Sequence, residues 1–404
     1  MTRRTNQPPV ETTVPTEPTA QPDNTPKVDA PLTALPPIVA SYVPNTFSID
    51  GGNGEGEGVC SETSAIVRVE PVIAPITTRR AFQLNEDSTD KPTFTLKTGD
   101  EIEVFGIKDV HTYGKKESKR RFNALERYTH PDYFKLIYVL LLQLFRQYLN
   151  NDTALNLRGI ISVPISVYQD EAVLSEIRNT LATGKELILV DQDGNQLKII
   201  IQPNALTIIP ESVGALYYHT FDPSTLKPRQ FRTIKGFTMI VDTGYLSTDI
   251  SIFEGQKYLR DLNESLSPVG MRLVVLAIMA AIVKAAGGNV RGLDETQIDY
   301  DMRKWVDSPK GQKKIITIGE QTFDVTQAYD TAIDHLATQI EQTIFNRFSQ
   351  VGVNRVLLAG GGAYHLRSIL VAKLASLGLV AQIDHCEVAN AIGGFIILQL
   401  QLSR

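Results

Sequence analysis

Three times along this chain a run of apolar residues stops abruptly at a glycine turn. The first is Asp50-Gly51-Gly52-Asn53-Gly54, after NTFSID at 45–50. The second is Asp242-Thr243-Gly244, after FTMIVD at 237–242, and it continues Tyr245-Leu246-Ser247-Thr248-Asp249. The third is Gly360-Gly361-Gly362, after NRVLLA at 354–359. Glycine after a strand lets backbone N–H groups approach an anion with no Cβ in the way. An Asp at a strand end can hold Mg²⁺, usually through its water shell, because that ion dehydrates reluctantly. Two such turns facing each other would clamp a polyphosphate from both sides. A helix beginning directly after the third turn would favour an anion or a ribose–phosphate edge. Taken singly, each turn is equally compatible with an ordinary loop, since Gly, Asn and Asp dominate turns.

The segments between the turns alternate between strand and helix patterns, which predicts an α/β architecture with a mixed sheet in each of two lobes. β-Branched runs at 64–70, 101–107 and 157–164 read as strands, and 131–148 has an apolar stripe at helical spacing that opens on Pro131. A hairpin is expected at 186–202 around Asp193-Gly194. Further strand segments are expected at 206–210, 248–253, 257–261, 313–318 and 321–325. Helices are expected at 170–181, 211–218, 268–286, 326–348 and from 388 onward. Both halves open with a strand ending at an Asp turn and continue with β and then α segments, a weak echo of internal duplication.

Composition excludes several classes. The 404 residues are 42% hydrophobic and 21% charged, ordinary for a soluble chain that buries a core. A formal net charge of −5 gives no global basic field for sequence-independent DNA binding. The two cysteines, Cys60 and Cys386, make neither a disulfide framework nor a CxxC pair, and the six histidines show no zinc-ligand spacing. No run of 18 apolar residues is present, so no membrane span is expected, and the start lacks a secretory signal. A cytoplasmic protein is the expectation. Residues 1–44 hold ten of the 21 prolines and are expected to form a disordered tail. The basic run at 115–121 reads as a solvated loop or a partner contact, and Trp305 as a packing residue on an outer helix.

The three turns together, in this order and spacing, resemble the phosphate-1, phosphate-2 and adenosine motifs of the actin, sugar-kinase and heat-shock-chaperone ATPase superfamily. Within that group VDTGYLSTDISIF at 241–253 looks like the second phosphate loop of the ParM-like plasmid-segregation actins. PESVGA at 210–215, VLLAGGGAYHL at 356–366 and VANAIGG at 388–394 are similar to that family's first connecting helix, adenosine loop and second connecting helix. The resemblance covers nearly everything after residue 45. It implies an actin-like (ribonuclease H-like) duplicated two-domain fold with a nucleotide cleft between the lobes. Domain I would be 45–235, with 388–404 returning to it, and domain II 236–387.

The resemblance also implies roles. Asp50 and Asp242 would organise Mg²⁺ and its waters. The backbone of Gly51, Gly52, Asn53 and Gly54, and of Thr243, Gly244, Tyr245 and Ser247, would hold the β- and γ-phosphates of ATP or GTP. Glu211 would align or activate the attacking water. Gly360, Gly361 and Gly362 would line the adenosine side, and Gly270 would close the pocket near the ribose. The implied activity is ATP hydrolysis coupled to a filament homopolymer, with plasmid DNA reached only indirectly through a DNA-binding adaptor. One departure stands out. The family usually has a basic residue a few positions beyond the first Asp, and here Glu57 is near that place, so another Lys or Arg would have to compensate. A non-polymerising or weakly hydrolysing nucleotide-binding scaffold, and a small-molecule kinase of the same superfamily, are the alternatives.

Overall fold

A computed structural model describes residues 42–52, 54–63, 66–76, 92–114, 120–121, 125–229, 236–306, 308, 311–349, 351–382 and 385–403. The expectations for 1–41, for Asn53 and for 115–119 of the basic run lie outside these residues.

Strands β1 (Thr46–Asp50), β2 (Gly56–Cys60) and β3 (Val67–Val69) begin the first sheet. A small four-stranded sheet follows, made of β4 (Val72–Pro75), β5 (Thr95–Thr98), β6 (Glu101–Phe105) and β7 (Arg120–Arg121), with α1 (Ile107–Tyr113) beside it. Helix α2 (Pro131–Leu144) starts on Pro131 with the His130 ring accepting from the Asp132 N–H. The chain then returns to the first sheet through β8 (Leu155–Val163), β9 (Glu186–Val190) and β10 (Gln196–Pro210), with α3 (Ile165–Tyr168) and α4 (Glu171–Leu181) between. Asp170 caps α4, accepting from the N–H groups of Ala172 and Val173. The sheet order is β3-β2-β1-β8-β10-β9. The segments expected separately at 196–202 and 206–210 are one strand, interrupted by a register shift between Ile201 and Leu206. Gly56 and Gly58, just past the first glycine turn, lie in a buried strand.

After α5 (Glu211–Thr220) the pattern restarts. Strands β11 (Phe237–Thr243), β12 (Thr248–Glu254), β13 (Lys257–Tyr258) and β14 (Glu264–Leu266) open the second sheet. Helices α6 (Arg272–Ala285) and α7 (Glu295–Arg303) and a hairpin of β15 (Ile315–Ile318) and β16 (Gln321–Asp324) follow. Then come α8 (Thr326–Phe348), β17 (Val353–Ala359), α9 (Gly361–Ser376), β18 (Val380–Gln382) and α10 (Ala389–Leu402). The second sheet runs β13-β12-β11-β17-β18, with β14 also on β12. Trp305 sits just past α7, edge-on to Tyr329 with ring centroids 5.6 Å apart.

The two halves repeat one design. β1 pairs antiparallel with β2 and parallel with β8; β11 pairs antiparallel with β12 and parallel with β17. Helix α10 is buried on all sides from Ala389 to Gln399, as expected of a helix that is apolar all round. It lies on β1 and β8 of the first sheet and against α5, so the last helix completes the first half. Its crossing with α5 is backbone to backbone. A Cβ on Gly393 would fall 1.7 Å from the Gly214 carbonyl oxygen, and one on Gly214 would fall 2.5 Å from the Asn390 carbonyl oxygen. Among the described residues no helix is long and apolar enough to cross a membrane.

Candidate active site

The carboxyl ends of β1, β8, β10, β11 and β17 converge on one cleft of about 330 Å³. That is where ligands bind in α/β sheets, because the turns and helix starts there present unpaired N–H groups. Asp50 ends β1, Asp242 sits one residue from the end of β11, and Glu211 opens α5 directly after β10. All three line the cleft, together with Gly52, Gly54, Gly244, Tyr245, Ser247 and Gly360–Gly362.

The two aspartates are joined by one side chain. The Asn390 amide, in the first turn of α10, donates to Asp50 Oδ2 at 3.1 Å and to Asp242 Oδ2 at 2.9 Å. Sequence reasoning placed 388–394 in a connecting helix but did not select Asn390, because a neutral amide in an apolar helix carries no signal of its own. Each aspartate also faces an acid across its hairpin. Asp50 is opposite Glu57 on β2, and Asp242 is opposite Asp249 on β12. Asp249 Oδ2 accepts from the Ile165 N–H at 2.9 Å, tying the second hairpin to the first half.

Gly360 has two reasons to be glycine. Its φ is 82°, and a Cβ would fall 2.3 Å from Asp242 Oδ1. Gly51 packs under the Tyr133 ring, and Gly270 lies with its Cα against the backbone of Tyr245–Ser247. Thr243 is buried beneath the same turn, its Oγ1 3.5 Å from that of Thr248. These three support the loops and do not line the cleft.

Among the described residues nine carboxyl side chains line the cleft against two arginines, Arg68 and Arg303. Burial in this crowded place pushes Asp50 up to about 6 and Asp242 up to about 7. Glu211 and Glu57 are pushed well above the usual carboxylate range, by burial first. For Glu211 the neighbouring Asp50, Asp242 and Asp249 add to that. Three arginines answer the missing cation that Glu57 raised. Arg68 stands directly across from Glu57 on β3 and lies 3.6 Å from Glu387. Arg127 donates to the carbonyls of Gly51 and Gly52. Arg303 donates to Gly54 and Glu55.

The set suits a cation. Asn390 Oδ1, on the amide that joins Asp50 and Asp242, is a buried acceptor without a donor among the described residues. No three His, Cys, Asp or Glu side chains among the described residues gather as a closed metal cage. One or two carboxylates with water and phosphate oxygens is the mode Mg²⁺ prefers.

Comparison with known proteins bears on the architecture. A 15-stranded ParM filament from Clostridium botulinum superposes with a TM-score of 0.69 over 89% of this chain and 99% of that one, at 19% identity. The fold is actin-like. Ta0583, an archaeal actin homologue, in complex with ADP, matches this actin-like chain with a TM-score of 0.64 at 18% identity, over 88% and 99% of the two chains. The actin-like protein Alp7A matches with a TM-score of 0.65 at 12% identity, over 89% and 96%. By sequence, residues 240–372 match the family model of the C-terminal part of archaeal MreB-like actin homologues. No curated protein matches by sequence.

The buried groups of this actin-like chain set an expected pH dependence. His219 and His365 are held down to about 3 and about 4 by burial, so folding loses stability as pH falls from 6.5 through those values. The acids act in the opposite sense. Their native values are raised, so the native state holds protons that the unfolded chain has released, and stability falls as pH rises. The histidine contribution fades as pH rises past 6.5, and the raised acids, Asp242 at about 7 with Glu57 and Glu211 above the usual carboxylate range, then dominate the slope. Thermal melts without Mg²⁺ or nucleotide should therefore decline from pH 6.5 to 8, and Mg²⁺ should flatten the decline. A melting temperature that rises over that range would contradict the assignment of buried, protonated acids.

Proposed function

We propose that the chain binds a Mg²⁺–nucleotide in the cleft, hydrolyses it, and assembles into filaments whose stability depends on the nucleotide. The observation that carries this reading is the Asn390 amide shared by Asp50 and Asp242, with the half-buried Glu211 lining the same cleft. It joins the two glycine loops at one point, which is where a clamp on a polyphosphate must close. A cleft with nine carboxyls repels a bare polyanion, and this favours a ligand that arrives with a divalent cation. Asp50 and Asp242 would hold Mg²⁺ through water, and the metal would neutralise phosphate charge. ATP or GTP fits the same arrangement.

In this proposal Glu211 directs a water toward the terminal phosphorus. The water oxygen forms the new P–O bond, the bond to the leaving diphosphate oxygen breaks, and the water proton passes to Glu211, which the arriving divalent cation would hold in its carboxylate form. Positioning and charge supply most of what phosphoryl transfer needs. The domain boundaries proposed are 45–235 with 388–404, and 236–387. The ParM neighbours motivate a further part of the proposal: a role in the cytoplasm in separating DNA copies, through a DNA-binding adaptor. The buried Glu57 opposite Asp50 favours a second reading, a scaffold that binds nucleotide and hydrolyses it weakly.

Sedimentation with negative-stain imaging tests the proposal, in Mg²⁺ with ATP, with a slowly hydrolysed ATP analogue, and without nucleotide. Filaments are expected with both nucleotides, and those formed with ATP are expected to disassemble as phosphate is released. No pelletable polymer in any condition would sink the filament reading.

A further inference from the structure

We propose that Arg303 is a positioning residue that completes the first glycine loop from the opposite half of the molecule, so that nucleotide leaves only when this contact opens. The inference rests on the nucleotide reading of the cleft. Arg303 is the last residue of α7, in the second half. Its guanidinium donates to the Gly54 carbonyl at 2.7 Å and to Glu55 Oε1 at 3.1 Å, about 250 residues away in the chain. Both side chains of this ion pair are three-quarters removed from water, at 27% and 25% exposure. The pair is therefore less screened than a surface salt bridge.

Two arginines thus hold the carbonyls of one loop. Arg127, from the first half, takes Gly51 and Gly52; Arg303, from the second, takes Gly54. A trans peptide points its N–H opposite to its C=O. Fixing the Gly54 carbonyl toward Arg303 therefore turns the Glu55 N–H the other way and sets that end of the loop. Lysine could not do the same, since only the guanidinium fork reaches two acceptors in one plane.

Helix α7 is tied at its other end as well. Glu295, its first residue, accepts from the Tyr245 hydroxyl at 2.6 Å and from Arg272 Nε at 2.8 Å. Tyr245 belongs to the second glycine turn. Midway along, Tyr300 packs against the apolar cluster of Val72 and Val104 on the small sheet and Val110 on α1. One short rigid helix therefore joins both phosphate-facing turns. The Tyr300 packing and the Arg303 contacts are the parts of α7 that must release for the halves to separate, and only Arg303 holds the glycine loop.

Two measurements on the full chain test this. The first is the release rate of a fluorescent ADP in stopped flow. Arg303→Ala should release it at least tenfold faster than the wild type, Arg303→Lys should fall between the two, and Glu55→Gln should be two- to threefold faster. A rate for Arg303→Ala within twofold of the wild type overturns the proposal. The second is amide hydrogen exchange without nucleotide. Residues 54–60 should exchange faster in Arg303→Ala, while 326–348 stays unchanged as a check on folding. Unchanged exchange at 54–60 also overturns the proposal. If the wild type binds no nucleotide, the functional reading fails and the exchange data alone decide the contact. If Arg303→Ala does not fold, Arg303→Lys and Glu55→Gln carry both measurements.

Discussion

Gly393→Ala is expected to leave little or no soluble, cooperatively folded protein. The added carbon would fall 1.7 Å from the Gly214 carbonyl oxygen, and that neighbour is backbone in a buried helix, so no side chain can swing aside. Relief requires α5 and α10 to move apart. Helix α10 lies directly on β1, so that movement also lifts Phe395 and Ile392 out of a fully buried cluster. Forced overpacking costs about 3 kcal/mol even where side chains can adjust. Against a total stability of roughly 5–15 kcal/mol, that loss is large. The check is yield in the soluble fraction together with the melting temperature, and a variant melting within 2 °C of the wild type would refute the packing argument. Gly214→Ala is a milder companion. Its carbon would meet the Asn390 carbonyl at 2.5 Å and should disturb the amide that joins Asp50 to Asp242.

Glu211→Ala is expected to cut phosphate release by about 100-fold or more, the range for loss of a positioned acid–base group. Binding should survive the change. Glu211 is a half-buried carboxyl pressed by Asp50, Asp242 and Asp249, so its removal relieves repulsion at the site. Nucleotide affinity should hold or rise, and filaments should form and persist. Phosphate release and pelleting measured on the same sample separate the two effects. Unchanged release would remove Glu211 from the chemistry and strengthen the scaffold reading. Loss of filaments together with unchanged hydrolysis would contradict the coupling between them.

Much of the architecture was legible because local pattern and final packing agree. Helix α8 runs from Thr326 to Phe348, as its amphipathic spacing predicts. The Asp50 and Asp242 turns fall at strand ends, and the duplication seen faintly in the sequence is a repeated set of strand pairings. What was not legible depends on distant neighbours. Gly56 and Gly58 belong to a glycine-rich stretch of the sequence, yet they lie in a buried strand because a Cβ there would press on Leu136 and Leu144. Helix α7, ETQIDYDMR, is short and polar, and only the fold shows Ile298 and Met302 in the core of the second half and Tyr300 against the small sheet. Arg127 and Arg303 look like ordinary surface charges until the fold carries them to the carbonyls of one loop. Glu57 signalled a missing cation, but only the strand register shows Arg68 directly across from it.

The position of Asn390 has a consequence for synthesis. Asp242 is translated 148 residues before the amide that joins it to Asp50. A growing chain thus carries both acidic turns through a long interval without this amide between them. During that interval their like charges favour keeping the halves apart. The link between the two aspartates forms only once α10 lies on β1, so the order of translation sets it among the last contacts made.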